Sequence, residues 1–256
     1  MALAINSIVN ADCLMALSEL HPRSVNFVLT EPPYLVRYQS RDGRTVPNDD
    51  NQVWLKPAFR EIFRVLERDS YAVSFYGWQQ ADRFVEAFRA AGFRLIGHLT
   101  FTKAYASSTH HLRYQHECAY LLAKGRPAVP AKPIADVIPW QYTGNRHHPT
   151  EKPLAILRPL IETFSRRGQT VLDPFCGSGS SLVAAKELGR NYIGIELDIG
   201  YHATALRRLS KIEATPPTSV TPDNARLSPV PRHSAERHAG CVQPDWPADR
   251  WWKFHI

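Results

Sequence analysis

Apolar and polar positions alternate between two periods along most of this chain. Val25-Asn26-Phe27-Val28-Leu29-Thr30 is a β-branched and aromatic run that predicts a buried strand, and Glu31-Pro32-Pro33-Tyr34 ends it in a stiff loop. Residues 35–53 carry Gly43, Pro47 and several charges and read as a mobile loop. Leu55, Ala58, Phe59, Ile62, Phe63 and Leu66 recur at helical spacing and predict a helix over 55–67. Tyr71–Tyr76 predicts a strand, Phe84, Val85 and Phe88 mark a helix, and strands follow near 93–102 and 117–123. Residues 125–147, richer in Pro, Arg and His, show no clear period and read as a surface excursion. Leu154, Leu157, Leu160, Ile161 and Phe164 restore the helical period. The strand Thr170-Val171-Leu172, a glycine-rich turn, a helix near 180–188, the strand Asn191–Glu196 and a helix near 199–212 follow. Strands alternating with helices imply an α/β fold, a mostly parallel sheet covered on both faces. From Glu213 onward, seven prolines in 44 residues with little apolar periodicity read as a flexible or loosely docked tail. The chain thus divides into a domain over 1–212 and a tail over 213–256.

Composition narrows the classes. A hydrophobic fraction of 44% supports a buried core, and no apolar run approaches the roughly 20 residues that span a bilayer. Met1-Ala2-Leu3-Ala4-Ile5-Asn6 lacks the basic start and long apolar stretch of a secretory signal, so the expected location is the cytoplasm. Cys13, Cys118, Cys176 and Cys241 are far apart, which argues against a zinc ribbon or a disulfide framework. The net charge of +7 favours a polyanionic partner. Five basic and five acidic residues cancel after residue 212, so the excess lies in the folded part.

Asp173-Pro174-Phe175-Cys176-Gly177-Ser178-Gly179-Ser180 lies between a predicted strand and a predicted helix. In an open parallel sheet, such a loop faces the crevice where ligands bind. Gly177 and Gly179 let the backbone approach a ligand, and the following helix start offers free N–H groups. Glu196 ends the next strand, where a carboxylate can take both hydroxyls of a ribose. The third glycine of a nicotinamide fingerprint and the Gly-Lys-Ser/Thr of a phosphate loop are both missing. A nucleoside cofactor without a pyrophosphate, such as S-adenosylmethionine, fits better. A tight strand-to-helix turn is the plain alternative.

Glu31-Pro32-Pro33-Tyr34 has a different chemistry. Two prolines remove two donors and leave carbonyl oxygens free to accept from a ligand. An amine conjugated to a nucleobase is a poor nucleophile, because its lone pair is spread into the ring. A carboxylate and a carbonyl accepting its N–H bonds would draw the nitrogen towards tetrahedral geometry and free that pair. Tyr34 would stack on a base swung out of the duplex. A proline corner with a packing tyrosine is the alternative.

Glu31-Pro32-Pro33-Tyr34 resembles the Asp-Pro-Pro-Tyr motif of amino-methylating DNA methyltransferases, and Asp173–Gly179 resembles their Phe-x-Gly-x-Gly cofactor loop. His148-Pro149-Thr150-Glu151-Lys152-Pro153 resembles the segment preceding that loop in the β-class, whose motif order this chain shares. The resemblance spans roughly residues 6–210. It implies a Rossmann-like, seven-stranded sheet with one antiparallel strand, a catalytic half over 1–124, a target-recognition excursion over 125–147 and a cofactor half over 148–212. It further implies Glu31, Pro32, Pro33 and Tyr34 as catalytic residues and Asp173, Pro174, Phe175, Gly177, Gly179 and Glu196 as cofactor-binding residues. Asp12 is placed near the cofactor's adenine, and Thr150 and Lys152 near its methionine end; a helix cap and a surface ion pair are the alternatives for Asp12 and Lys152. One departure stands out. The first motif position is normally Asp, Asn or Ser, and Glu31 carries its carboxylate one methylene further out.

For double-stranded DNA, the sequence offers Arg37, Arg41 and Arg44 after the catalytic motif, then Lys103 and Arg113, then Arg146, as phosphate contacts. The pairs His110-His111 and His147-His148 lack acidic partners at metal spacing, so no metal is expected. The tail tryptophans Trp246, Trp251 and Trp252 are read as docking on the core or stacking on DNA. No Pro-Cys dipeptide occurs, which removes the cytosine carbon-5 reaction. Adenine is the expected target, with cytosine amino methylation and a DNA-binding pseudo-enzyme as alternatives. Oligomeric state, a homodimer included, and a partner nuclease of a restriction-modification pair stay open at this level.

Overall fold

In this computed structural model the residues described are 3–212, apart from 40–42, 44, 110, 143, 145, 146 and 149, and they lie in one compact unit. Among them, no helix is long and apolar enough to cross a membrane. The tail reading, with its tryptophans, falls outside the described residues.

Two elements that the apolar pattern does not announce come first, a strand β1 at Ser7–Asn10 and a helix α1 at Cys13–Ser18. Both are too short to show a period. The Asp12 side chain caps α1, accepting from the Leu14 N–H at 2.8 Å and the Met15 N–H at 3.4 Å. Strand β2 covers Val25–Thr30 as expected. Helix α2, Leu55–Val65, buries Leu55, Ala58, Phe59, Ile62 and Val65 on one face. It stops two residues before its predicted end, because Leu66 already pairs with Val25 and opens strand β3 at Leu66–Tyr76. A helix α3 over Ala81–Ala91 and a strand β4 over Arg94–Lys103 follow. A small hairpin, β5 (Ser108–Thr109) with β6 (Arg113–Tyr114), precedes β7 at His116–Lys124 and β8 at Val137–Trp140. Helix α4 (Leu154–Phe164), strand β9 (Thr170–Asp173), helix α5 (Ser180–Glu187), strand β10 (Asn191–Glu196) and helix α6 (Ile199–Ser210) complete the unit.

The sheet runs β1-β10-β9-β2-β3-β7-β4-β8. Strand β7 is antiparallel to both its neighbours, and the remaining pairings are parallel. The expected seven strands with one reversed strand are therefore present, and the count is corrected to eight by β8. This strand comes from the excursion read as having no period. It is only four residues long and exposes Val137 and Pro139, and such an edge strand leaves too little alternation to read. Helices α1–α3 cover one face, where Leu17, Phe59 and Phe88 meet Val28, Ala72 and Ile195. On the other face α4–α6 bring Leu160, Leu182 and Leu209 against Phe27, Phe75 and Val171. Phe27 and Val28 serve opposite layers, as period-2 alternation requires.

Strands β2 and β9 sit side by side although 140 residues separate their loops. From β2 the chain turns to β3 on one side, and from β9 to β10 on the other. Their carboxyl ends thus flank the switch point where an open α/β sheet leaves a crevice.

Candidate active site

Both motif loops open into one cleft at that switch point. Its wall includes Glu31, Pro32, Pro33 and Tyr34 from the loop after β2, and Asp173, Pro174, Phe175 and Gly177 from the loop after β9. Asp12, Thr150, Lys152 and Glu196 line it as well. A single hydrogen bond ties the two strand ends together: the buried Thr30 hydroxyl donates to Asp173 Oδ1 at 3.0 Å. The same Asp173 oxygen accepts the Phe175 N–H at 3.1 Å, and Oδ2 accepts the Ser181 hydroxyl. Burial pushes the Asp173 carboxyl up to about 6 despite these bonds.

The glycine loop is braced from two sides. Glu196 Oε2 accepts the Gly177 N–H at 2.7 Å, and Oε1 accepts the Asp198 N–H at 2.8 Å, so the carboxylate at the end of β10 is oriented by backbone. Burial makes it a weaker acid, raising its pKa from the ordinary value. From α6, Arg208 Nη1 donates to the Ser178 carbonyl at 2.9 Å and to the Ser178 and Ser180 hydroxyls at 3.0 Å. Arg208 also pairs with buried Glu151 at 3.2 Å. Nothing in the sequence distinguished Arg208 from the other helix-surface arginines.

Gly179 requires a correction. It is not on the cleft wall; it starts α5 at φ +81°, and a Cβ there would lie 2.9 Å from Ala205 Cβ. Its lack of a side chain lets α6 pack closely, rather than admitting a ligand.

Within 35–53, a segment expected to be mobile, the described residues Leu35, Arg37, Tyr38, Asn48 and Asp49 are anchored. Buried Asp49 accepts the Leu35 and Tyr38 N–H groups at 2.6 Å each, and its carbonyl accepts the Arg37 N–H at 3.2 Å. Trp54 Nε1 donates to the Asn48 carbonyl at 3.0 Å, while its ring stands 5.1 Å from that of Phe175. The loop that leaves the Glu31–Tyr34 motif is thereby held against the glycine loop.

Glu31 meets a cation rather than open solvent. Lys152 Nζ donates to Glu31 Oε1, lies 2.9 Å from Glu117 Oε2, and reaches the Thr150 carbonyl at 3.3 Å. Lys103 Nζ donates to Glu117 Oε1 at 2.6 Å. Lys152 is thus in contact with the Glu31–Tyr34 motif itself, a partner that the resemblance did not suggest, and its pairing is buried rather than superficial. Lys103, expected to contact phosphate, is corrected: it is 9% exposed, paired with Glu117 and 4.8 Å from the Trp140 ring. Arg37 and Arg113 are exposed, whereas Arg41, Arg44 and Arg146 lie outside the described residues. Glu117 and Trp140 were missed. The one available signal for Glu117 was a charge at the head of an otherwise apolar predicted strand.

Burial raises the Glu31 carboxyl to about 7; Glu117 adds to the rise, and the pull of Lys152 in the other direction does not overcome it. Burial, and then the Glu31 charge, lift the Tyr34 phenol well above its ordinary value. Tyr34 therefore stays neutral, with an apolar face for stacking.

The chain matches the family model described as DNA methylase over residues 25–207. It is 52% identical over 205 residues to the Escherichia coli (strain K12) protein YubD, named as a methylase, covering 80% of this chain and 90% of that protein. Among solved structures, M1.HpyAVI in complex with SAM superposes with a TM-score of 0.65 at 23% identity, covering 79% of this chain and 98% of that one. The PvuII cytosine-N4-specific DNA methyltransferase gives the same TM-score at 16% identity, covering 83% and 90%. At these identities the two structures speak for the fold.

Proposed function

Because the chain belongs to the DNA methylase family, we propose that it transfers a methyl group from S-adenosylmethionine to the exocyclic amine of adenine in double-stranded DNA. The observation that carries the reading is the shared cleft: Glu31–Tyr34 and Asp173–Gly177 line one space and are joined through Thr30 and Asp173.

The wall suits the cofactor. Oriented Glu196 offers a carboxylate for a ribose, Pro174, Phe175 and Leu197 offer apolar surface for a purine, and Asp12 lies close by. Thr150 lines the same cleft, its carbonyl accepting from Lys152 Nζ at 3.3 Å. When bound, the cofactor supplies a methyl group on a cationic sulfur. The chain's own residues do the rest. Glu31 accepts one N–H of the target amine and the carbonyls of the proline pair accept another, which localises the nitrogen lone pair. Tyr34 holds the flipped base by stacking. Arg37 and Arg113 take phosphates, which sets the duplex without reading its sequence. Residues 125–147 supply recognition of a short site.

The test is direct. Purified protein, unmethylated DNA and tritiated S-adenosylmethionine are combined, and the labelled nucleoside is identified. Label in methyladenosine that vanishes in Glu31→Ala supports the reading. Label in amino-methylated cytosine, the base named for the PvuII enzyme, would keep the mechanism and replace the base. Cofactor binding with no label on diverse DNA would make the chain a DNA-binding pseudo-enzyme.

A further inference from the structure

We infer that Glu117, held by Lys103, positions the Glu31 carboxylate through Lys152, and that this four-charge chain is what adapts the site to a glutamate. The inference rests on the amine-accepting role of Glu31.

The four groups alternate in sign and sum to zero: Glu31, Lys152, Glu117, Lys103. Only 4% of the Lys152 side chain is exposed, and its ammonium lies 5.4, 5.2 and 5.5 Å from the ring centroids of Tyr34, Phe75 and Trp140. A cation so far out of water must be paired. Were Glu31 its one counter-ion, the pair could drift together, because Glu31 stands on a loop. Glu117 removes that freedom. It sits on β7 directly across from Phe101 of β4, and Lys103 lies two residues along β4 with its own N–H donating to the Gln115 carbonyl at 2.6 Å. The far end of the chain is therefore fixed in the sheet, and Lys152 transmits that fixity to the loop.

A glutamate has one more rotatable bond than an aspartate, and that bond must be frozen before the carboxylate can meet an amine. The Lys152 contact freezes it at a reach that aspartate lacks. Glu117, which does not line the cleft, acts as a positioning residue; Lys152 ceases to be chiefly a cofactor contact.

The charged and titratable groups facing Glu31 are Lys152, Glu117, Asp173 and Tyr34. Glu117→Gln removes a neighbouring negative charge and leaves Lys152 to Glu31, so the Glu31 titration moves to lower pH. Lys152→Met moves it to higher pH. The full chain, labelled with [δ-13C]glutamate and assigned through Glu31→Gln, gives this titration by NMR without any turnover. In parallel, Glu117→Gln is expected to lower kcat on the order of tenfold, with KM for cofactor and DNA unchanged, a pattern that marks lost transition-state geometry rather than lost binding. The milder Lys103→Gln, for use if Glu117→Gln does not fold, frees Glu117 to draw Lys152 away and raises the Glu31 titration. An unmoved Glu31 titration in the folded variants overturns the inference, as does a change confined to cofactor KM. Wild-type protein that never methylates DNA would instead sink the proposed reaction, while the NMR result still decides the charge chain.

Discussion

To accept an N–H of the target amine while it stays paired with Lys152, as proposed, Glu31 has to be ionised, and its desolvated site holds the proton up to about 7. Methyl transfer should therefore climb as pH rises through 7, the carboxylate being the active form; a kcat profile flat from pH 5.5 to 8.5 would contradict this. Stability runs the other way. The unfolded chain loses the Glu31 proton near 4.5 and the folded protein near 7, so the folded state binds more protons in that window and its stability falls as pH rises across it. Asp173, raised from 3.8 to about 6, acts in the same direction. Melting temperatures across pH 4–8 should show the decline, and Glu31→Gln should flatten the part above pH 6. At a neighbouring residue, a Cβ on Gly77 would lie 2.9 Å from Tyr34 Cβ and 3.2 Å from its carbonyl. Gly77→Ala must displace Tyr34, and if Tyr34 holds the base as proposed, on the order of a hundredfold loss in kcat is expected with cofactor affinity retained.

Between elements, the contact of α5 with α6 admits no methyl group at Gly179. Gly179→Ala combines a left-handed φ with a 2.9 Å clash against Ala205, and should destabilise the fold by about 1–3 kcal/mol. Adding Ala205→Gly should recover the steric part, which denaturant melts of the single and double variants would show. Elements of this kind were legible where they were long. Helix α2 and strands β2 and β10 follow from periodicity, since each buries one complete face or two. Strand β1, helix α1 and strand β8 were not legible, because four to six residues hold at most two repeats of either pattern. What shapes them is tertiary: β1 is defined by its pairing with β10, and β8 by its pairing with β4.

For the molecule as a whole, the sequence located both walls of the cleft, because each is a short contiguous loop with its own chemistry. It could not show Lys152 reaching Glu31 across 121 positions, nor Lys103 turning inwards to Glu117. Charges read one by one look like surface charges, and only the sheet reveals which of them face one another. Among the described residues, α1–α3 and α4–α6 supply the two helix layers over the sheet.

The pairing of β2 with β9 also sets a schedule for synthesis. Strand β2 leaves the ribosome some 140 residues before its partner, which at roughly 5–20 residues per second is a delay on the order of ten seconds. For that interval the nascent sheet can contain β2, β3, β4 and β7, but β2 presents a bare, apolar rim where β9 will later insert. The seam between the two halves therefore closes late, with only β10 and its pairing to β1 still to come in the sheet, and it is the place where a half-made chain is most exposed to pairing with another.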